Sequence, residues 1–468
     1  MANKDIALMA HLMRRAGFGA TYEELEARVA KGYEATVEEI LHPEAQPAIE
    51  RDIMMRYQPQ WVSQAGLEGQ QEEWALRMIN TKRPLEEKIA LFWHQIFITG
   101  HAKCEYPRQQ QIEFDMFRQH GLDNFAELLL GLANDPAMVF YLDNCMSHKD
   151  AINENWGREL LELFSMGAGM DGHENYSEDD VKECARAFTG WTVTNSIPRY
   201  PYGKYEAKFI FDPSDHDYGE KTFLGETGDW DGEDIIRIIA KQPGTARFIA
   251  RHLYNFFVAD EPQVPAWQNT PPRDPEAIKM LEDEYFRSNY DIRSMLKVLF
   301  NSDAFKNARF AKVKSPTETV IGTMRLVGDF TEPKPGMNAM ALSIRYMGQD
   351  LLNPPTVEGW HTGREWIDSG TLVERINFCA DNLGNTSLPG VQSIIGRLGS
   401  EGSTISPDRL VDGCLDMLGG YELADETRTA LVSMAKDEGE LRTASDEFAP
   451  RVGQMLQSIV ATTEYLFA

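Results

Sequence analysis

The sequence predicts a mainly α fold: a large multi-helix, bundle-like domain with a small β insertion near residues 191–225. Through most of the 468 residues, apolar side chains recur at the three- and four-residue spacing of amphipathic helices. Capping residues precede many of these segments and glycines follow them. After Trp191 the pattern changes to short β-branched and aromatic runs, which predict two or three strands. Residues 1–385 are expected to form this domain, and residues 386–468 a C-terminal helical segment packed on it.

Helix starts are clear in the first part of the chain. Thr21 and Glu24 have the spacing of a capping box. Pro84 begins the segment PLEEKIALFWHQIFI, in which acidic residues of the first turn are followed by an apolar stripe. The spacing predicts helices over residues 4–16, from about 21, from 84 to the Thr-Gly pair at 99–100, and over 110–118, 123–133 and 136–142.

Capping residues and glycines also mark the remaining elements. A helix is predicted over residues 155–166, where Gly167 ends it. Ser177 caps the next helix, with Asp180 in the capping-box position. Further helices are predicted over residues 233–241, 244–258, 275–287, 291–300, 316–328 and from about 408 to the end. Loops are predicted where Pro, Gly or Ser accumulates, at residues 259–275, 332–338, 348–370 and 388–407.

The chain is strongly acidic, with a formal net charge of −27. This charge disfavours a nucleic-acid partner, because phosphate neutralisation needs clustered Lys and Arg. No apolar run reaches the roughly 18 residues needed to cross a bilayer, so no membrane insertion is expected. The N-terminal segment lacks the apolar run of a signal peptide, and we therefore expect a cytoplasmic protein. An exported chain already trimmed of its signal would look the same.

The strongest candidate for chemistry is NENWGRELLELF, residues 153–164. Glu159 and Glu162 are three residues apart and lie on one helix face, and Arg158 is spaced to pair with Glu162. Glu154 lies just before the helix. Carboxylates at this density could hold a divalent cation or perform acid–base catalysis. A capped helix with a buried Arg–Glu network is the structural alternative.

His94, in LFWHQIF, is the second candidate. His101 follows two helical turns later and would share its face, unless Gly100 breaks the helix between them. A His on an aromatic helix face is commonly a hydrogen-bonded core residue, and a metal ligand is the alternative.

The acidic segment DPSDHDYGE, residues 212–220, is a third candidate and lies between two predicted strands. Asp215, His216 and Asp217 are candidate metal ligands, since hard cations prefer oxygen ligands. Their spacing does not match an EF-hand loop, and a solvated turn with Asx-type hydrogen bonds is the alternative.

A basic stretch interrupts the overall acidity at residues 306–314. Its four cations, with no acid among them, are Lys306, Arg309, Lys312 and Lys314. Such a stretch could seat a phosphate, a sulfate or a carboxylate, and a solvated helix end is the alternative.

Eight segments resemble, in order, those of the bacterial "domain of unknown function 1800" family. They are RRAGFG, LFWHQIFITG, DPAMVFYLDN, NENWGRELLELFSMG, YSEDDVKECARAFTGW, HDYGEKTFLG, GTARFIARHL and AKVKSP. The resemblance runs from about residue 9 to residue 380 and implies one large, mostly helical unit without a settled activity. Members of that family are often encoded beside proteins of the "domain of unknown function 1501" family, which resemble the alkaline phosphatase and sulfatase superfamily. The resemblance therefore implies such a protein as a partner.

The motif positions of the family can be transferred to individual residues. They fall on His94, Asn153, Glu154, Arg158, Glu159, Glu162, Thr189, Gly190, Trp191, His216, Gly219, Lys221, Lys312 and Lys314. Ile96 and Phe164 stand where many members have a histidine, which removes two candidate metal ligands from this chain.

Two functional hypotheses follow. The first is a hydrolase-type enzyme for a polar or carbohydrate-like substrate, with a carboxylate-rich and cation-binding site. Its catalytic groups would be His94, Glu154, Arg158, Glu159 and Glu162, and it predicts that His94, Glu154, Glu159 and His216 converge in one cleft. The second is a non-catalytic partner or assembly protein for a phosphatase- or sulfatase-like protein. It predicts an exposed apolar patch of several hundred Å².

Overall fold

A computed structural model describes residues 4–49, 66–104, 107–194, 207–437, 439 and 441–468. Helices dominate, and the strands within the described residues form only short two-stranded sheets, so the prediction of a mainly α fold is confirmed. No helix among these residues has both the length and the apolar character needed to cross a membrane. All five cysteines are free thiols.

The α-helices are mostly short, at four to fifteen residues each. In chain order they begin with α1 (Lys4–Arg15), α2 (Tyr22–Lys31), α3 (Tyr33–Leu41), α4 (Leu67–Asn80), α5 (Pro84–Ile96), α6 (His101–Cys104), α7 (Pro107–His120), α8 (Phe125–Ala133), α9 (Pro136–Tyr141), α10 (Asn155–Glu162), α11 (Glu178–Ala187) and α12 (Gly232–Ala240). The chain continues with α13 (Pro243–Phe257), α14 (Pro275–Arg287), α15 (Ile292–Asn301), α16 (Asp303–Lys306), α17 (Pro316–Val327), α18 (Met337–Tyr346), α19 (Ser369–Leu383), α20 (Pro389–Gly399), α21 (Pro407–Met417), α22 (Asp425–Asp437) and α23 (Phe448–Val460).

The strands are short and pair only with their neighbours in sequence. They are β1 (Gly169–Met170), β2 (His173–Glu174), β3 (Trp191–Val193), β4 (Phe209–Phe211), β5 (Lys221–Phe223), β6 (Glu226–Gly228), β7 (Thr404–Ile405) and β8 (Leu441–Arg442). Among the described residues, three strands, β3, β4 and β5, lie within the predicted β insertion, as expected, and β6 just beyond it completes two antiparallel pairs, β3–β4 and β5–β6. Residues 195–206 of this insertion lie outside the described residues.

The predicted capping residues act as helix caps. Thr21 accepts a hydrogen bond from the Glu24 backbone N–H at 3.3 Å. Ser177 accepts from the Asp180 N–H at 3.2 Å, and the Asp180 carboxylate accepts from the Ser177 N–H at 2.8 Å. These local bonds satisfy N–H groups that a helix start leaves free, which is why short sequence signals located these helices.

Two predictions on local structure are wrong. The helix expected to reach residue 166 ends at Glu162, because the chain leaves the regular α geometry there: the Gly167 N–H donates to the Leu161 carbonyl, and Gly167 has a positive φ of 71°. The stretch rich in Gly and Ser at residues 388–407, predicted as a loop, contains α20. Its Val391, Ile394 and Leu398 recur at helical spacing and are buried, and this packing outweighs the low helix propensity of glycine.

One continuous core contains residues from before and after position 385. Val411 of α21 and Val452 of α23 are fully buried in it. The Lys314 ammonium donates to the Tyr465 carbonyl at 2.6 Å, and the Ala468 N–H donates to the Lys312 carbonyl at 2.9 Å. The boundary at residues 385 and 386 stays a prediction.

Candidate functional site

The carboxylate-rich helix α10 lies directly against α11. A Cβ atom at Gly157 would stand 3.0 Å from the Val181 carbonyl oxygen, so glycine at this position permits the close approach. At the start of the two helices, Arg158 donates to Glu178 at 2.8 and 2.9 Å and to Glu154 at 3.4 Å. These are the ion pairs of Arg158, and the pairing with Glu162 that the four-residue spacing suggested does not form. Arg158 and Glu154 thus join the ends of two helices at a partly exposed surface.

Glu159 and Glu162 have a different environment from Glu154. Glu159 is half-buried, and burial raises the pKa of its carboxyl to about 7, assisted by the negative charges of Glu162 and Glu358 and opposed by Arg158. At neutral pH this carboxyl is therefore populated in both its protonated and its ionised form. A group with its pKa near the working pH is suited to general acid–base catalysis.

Two adjoining cavities lie beside Glu162 and Glu358, with volumes of about 50 and 60 Å³, and Glu159 itself lines neither of them. Both are lined by Leu163, Val264 and Glu358. The first is further lined by Glu162, Met166, Gly167, Ala168, Gly169, Met170, Gly244, Arg247, Phe248, Arg251, Trp267 and Gln268. The second is further lined by Gln95, Ile96, His252, Asn255, Gln263, Val357, Trp360, His361 and Thr362. The walls of these cavities thus combine the carboxylates with aromatic and polar side chains.

The two arginines that line the first cavity form ion pairs with acidic residues that do not line it. Arg251 donates to Glu261 at 2.9 and 2.7 Å and lies 4.7 Å from the centre of the Trp267 ring. Arg247 donates to Asp171 at 2.8 Å and to Glu282 at 2.5 Å. Because these arginines already have anionic partners, they do not neutralise the carboxylates of the cavity wall.

His252 contributes a neutral imidazole to the second cavity. Burial, with a smaller contribution from Arg251, lowers its pKa to about 3. Its ring contacts Phe248 and Trp267 at centroid distances of 4.3 and 4.6 Å. The Nε2 atom is buried and has no hydrogen-bond partner in the described part of the chain. This nitrogen is therefore available to a ligand that enters the cavity.

His94 lies in the aromatic core. It is completely buried, and the Leu352 N–H donates to its Nε2 at 3.1 Å. The rings of Phe114 and Trp360 lie 4.6 and 5.0 Å from its centroid. Burial lowers its pKa to about 3, so it is a neutral side chain. His94 does not line either cavity beside Glu159.

The three predicted metal ligands of the acidic segment 212–220 each bind a different partner. Asp215 binds His148 at 2.5 Å, the His216 Nδ1 donates to the Thr189 carbonyl at 2.8 Å, and Asp217 accepts from Arg186 at 2.7 Å. The described ranges contain no group of three or more His, Cys, Asp or Glu side chains placed to hold a metal ion. The geometry therefore does not favour the predicted cation site at these residues.

The expected convergence of all these groups in one cleft is wrong for the two histidines. Arg158 contacts α11 at Glu178, whereas His216 bonds to Thr189 just after the other end of α11. A helix of ten residues is about 15 Å long, so the carboxylates of α10 and His216 lie at different places. The structure instead places Glu162 and Glu358 in the wall of one cavity, and their charges contribute to the raised pKa of Glu159.

Sequence reasoning missed Glu358, His252 and Trp267. The only available signal for Glu358 and Trp267 was their place in the predicted loops 348–370 and 259–275. Nothing in the sequence indicated that His252, on a long apolar helix, would reach the same place.

It also missed a buried acidic pair close to this region. Burial and the neighbouring Asp135 raise the pKa of Glu113, and burial raises the pKa of Asp135. Thr99 donates to Glu113, and Asp135 caps α9 by accepting from the Ala137 N–H at 2.8 Å. Tyr141 is close enough to both Glu113 and Glu159 for their charges to contribute to its raised pKa of about 12, to which burial contributes most.

Comparison with known proteins gives one match. The family model described as "Protein of unknown function (DUF1800)" matches residues 11–467. No curated protein and no solved structure matches the chain. The match extends far beyond residue 380, where the sequence resemblance was taken to end, and it includes the C-terminal helices that complete the core. The chain belongs to the DUF1800 family.

Proposed function

We propose that this protein is a hydrolase-type enzyme in which Glu159 and Glu162 perform acid–base chemistry on a polar, carbohydrate-like substrate. One observation supports this proposal above all: the Glu159 carboxyl has a pKa raised to about 7 beside a second carboxylate that lines a cavity. Two acids whose environments differ can divide the roles of proton donor and base between them.

In this proposal each side chain has a distinct role. Protonated Glu159 gives its proton to the leaving oxygen of the substrate, and ionised Glu162 activates the attacking water. Burial keeps the proton on Glu159, and the negative charges of Glu162 and Glu358 assist. Trp267 and Trp360 supply aromatic walls to the two cavities.

The remaining predicted catalytic residues become positioning residues in this scheme. Arg158 and Glu154 hold the start of α10 against α11 through their ion pairs with each other and with Glu178. His94 holds the loop that carries Glu358, through its hydrogen bond from Leu352 and its contact with Trp360. None of them needs to touch the substrate.

The Glu159→Gln variant tests the proposal with a panel of aryl glycosides and aryl esters as substrates. Hydrolysis by the wild-type protein should fall as the pH rises through about 7, because Glu159 loses its proton there. Glu159→Gln should reduce the rate by about 10²–10⁴-fold, the usual contribution of a general acid. The Glu226→Gln variant is the control and should keep the wild-type activity, since Glu226 is exposed in β6. Undiminished hydrolysis by Glu159→Gln, or an infrared carboxyl titration without a group near pH 7, would contradict the assignment.

A second candidate function is the binding of a protein partner, and an exposed apolar surface favours it. We define the insertion patch as the exposed side chains of Phe140, Met146, Ile152, Ile210, Phe211 and Tyr218. Phe211 and Tyr218 flank the His216 ring, at centroid distances of 5.3 and 4.7 Å. The net charge of −27 favours a protein over a nucleic acid as the occupant. A phosphatase- or sulfatase-like protein of the "domain of unknown function 1501" family is the partner that we propose.

Co-purification with such a protein tests the insertion patch. The Phe211→Ser variant should reduce the amount of partner retained by at least tenfold. Truncating an aromatic anchor at an interface commonly costs about 2 kcal/mol or more, and a tenfold change in affinity corresponds to about 1.4 kcal/mol. Tyr346→Ser is the matched control, since Tyr346 is 63% exposed on α18, outside the patch. Equal retention by both variants would exclude the patch as the binding surface.

A further inference from the structure

A cavity of about 60 Å³ lies between α1, α17 and the C-terminal residues, in a different part of the protein from Glu159. Its walls include Arg14, Lys314, Thr319, Tyr421 and Tyr465. Several water molecules, or one small polyatomic ion, would fit in such a volume. This cavity shares no lining residue with the two cavities beside Glu162, so its role is independent of the proposed enzymatic function.

Unused hydrogen-bond donors belong to Arg14, in the wall of this cavity, and to Arg375, which bonds to the wall residues Lys314 and Thr319. The Nε and Nη2 atoms of Arg14 are buried without a partner in the described residues, and only Nη1 reaches a carbonyl, that of Gly419 at 3.4 Å. Arg375 is 1% exposed, and its Nε and Nη2 also have no partner within the described ranges. Its Nη1 donates to the Lys314 carbonyl at 2.8 Å and to the Thr319 hydroxyl at 3.0 Å. Unused donors on two buried guanidinium groups are uncommon, because buried polar groups are almost always hydrogen-bonded.

The cations in the cavity wall have no direct counter-ion among the described residues. Arg14, Lys314 and Arg375 form no ion pair within the part of the chain that the structure describes. Glu318 is the acid in the cavity wall, but it is already bound by Arg15 at 3.0 Å and by Lys88 at 2.5 Å.

Aromatic rings compensate this charge only in part. Arg14 and Lys314 both lie over the Tyr421 ring, at 5.0 and 4.9 Å from its centre, and Lys314 also lies 3.6 Å from the centre of the Tyr465 ring. The face of one aromatic ring stabilises a cation weakly compared with an anion, and the two cations repel each other. The geometry therefore leaves room, unused donors and charge for one anion.

We propose that this cavity binds a small oxyanion, phosphate or sulfate, between Arg14 and Lys314. Planar guanidinium groups match the oxygen atoms of such an ion in charge and in hydrogen-bond geometry. The bound ion would connect α1 with the segment just before α17, because Arg14 belongs to the first and Lys314 to the second. Of the basic stretch 306–314, only Lys314 lines this cavity, since Lys312 pairs with Asp260 and Arg309 with Glu422.

Isothermal titration calorimetry with inorganic phosphate and with sodium sulfate tests this proposal, with NaCl keeping the ionic strength constant. The wild-type protein should bind at least one of the two ions with a Kd of about 1 mM or tighter. Its melting temperature should rise with the logarithm of the ion concentration, as expected for a ligand of the folded state. Absence of binding by the wild-type protein would overturn the proposal.

Variants locate the site. Arg14→Met should weaken the affinity at least tenfold and abolish the rise in melting temperature, and Lys314→Met should do the same. Arg397→Met is the control, since Arg397 lies 4.9 Å from the Tyr22 ring but pairs with Glu26 at the surface. Unchanged affinity in both cavity variants would overturn the proposal. Should these variants not fold, the anomalous signal of selenate in wild-type crystals decides the matter, and selenate found only elsewhere refutes the proposed site.

Discussion

Glu318→Gln is expected to destabilise the protein by about 3–5 kcal/mol, the usual effect of removing one partner from a buried ion pair. Arg15 and Lys88 have side chains that are 0% exposed, and both donate to Glu318. Neutral glutamine would leave two buried cations without a counter-ion. Burial already lowers the pKa of Lys88 to about 8 even with Glu318 present, so loss of a proton from Lys88 would limit the damage.

The effect of Glu318→Gln should depend on pH in a defined direction. Burial alone would raise the pKa of Glu318, but Lys88 and Arg15 hold it far below its usual value of 4.5. The carboxylate therefore contributes stability above pH 4.5 and loses this contribution as the pH falls below it. The difference in unfolding free energy between wild type and variant should shrink from pH 7 towards strongly acidic pH.

Chemical denaturation over this pH range measures the difference. Glu233→Gln is the control, since Glu233 also stands in the first turn of a helix but is 51% exposed. The control should change the unfolding free energy by no more than about 0.5 kcal/mol. Equal effects of the two variants at pH 7 would show that the buried ion pairs do not stabilise this core.

Glu87→Gln should have an effect of similar size, about 3–5 kcal/mol, at the other side of α5. Glu87 is 1% exposed and accepts from Arg118 at 3.0 and 3.1 Å, from Arg77 at 3.2 Å and from the Trp74 indole at 3.0 Å. Two arginines and an indole thus depend on one carboxylate. An amide has one acceptor oxygen, so it cannot serve all three donors and cannot balance the two charges.

Glu86→Gln is a closely matched control for this variant. Glu86 is the preceding residue, yet it pairs only with Arg83, at 3.0 Å, among the described residues. Burial, together with the charge of Glu87, raises the pKa of Glu86, so neutralising this side chain removes little that stabilises the fold. Guanidinium denaturation followed by Trp fluorescence should separate the variants by about 2 kcal/mol or more. A loss of stability in Glu86→Gln as large as in Glu87→Gln would refute the assignment.

The helices were predictable because their signals are local. Ser177 and Asp180 act on N–H groups three residues away, and Pro84 begins a helix whatever lies around it. Where a distant contact decided the outcome, the prediction was wrong. The helix α20 forms in a segment rich in Gly and Ser, because Val391 and Leu398 are buried by neighbouring helices.

The candidate site was likewise predictable only where local sequence determines it. The three-residue spacing of Glu159 and Glu162 on one helix face was visible in the sequence, since it follows from helix geometry alone. Glu358 is about two hundred positions away along the chain, and no local pattern could bring it to Glu159. Burial raises the pKa of Glu159 to about 7, and the charges of Glu162 and of this distant Glu358 contribute.

The properties of this protein divide into those that neighbours in sequence determine and those that tertiary packing determines, and the motif histidines His94 and His216 belong to the second group. Sequence pattern and composition established the helical class, the caps, the acidity and the pair of carboxylates, because these depend on neighbours within a few residues. The packing of distant elements established that His94 is a neutral core residue, that His216 bonds to Thr189, and that Arg14 and Lys314 face one cavity. Burial and electrostatic potential are sums over groups brought together from the whole chain. A side chain's type is written in the sequence, but its protonation state and its accessibility arise only when the chain has folded.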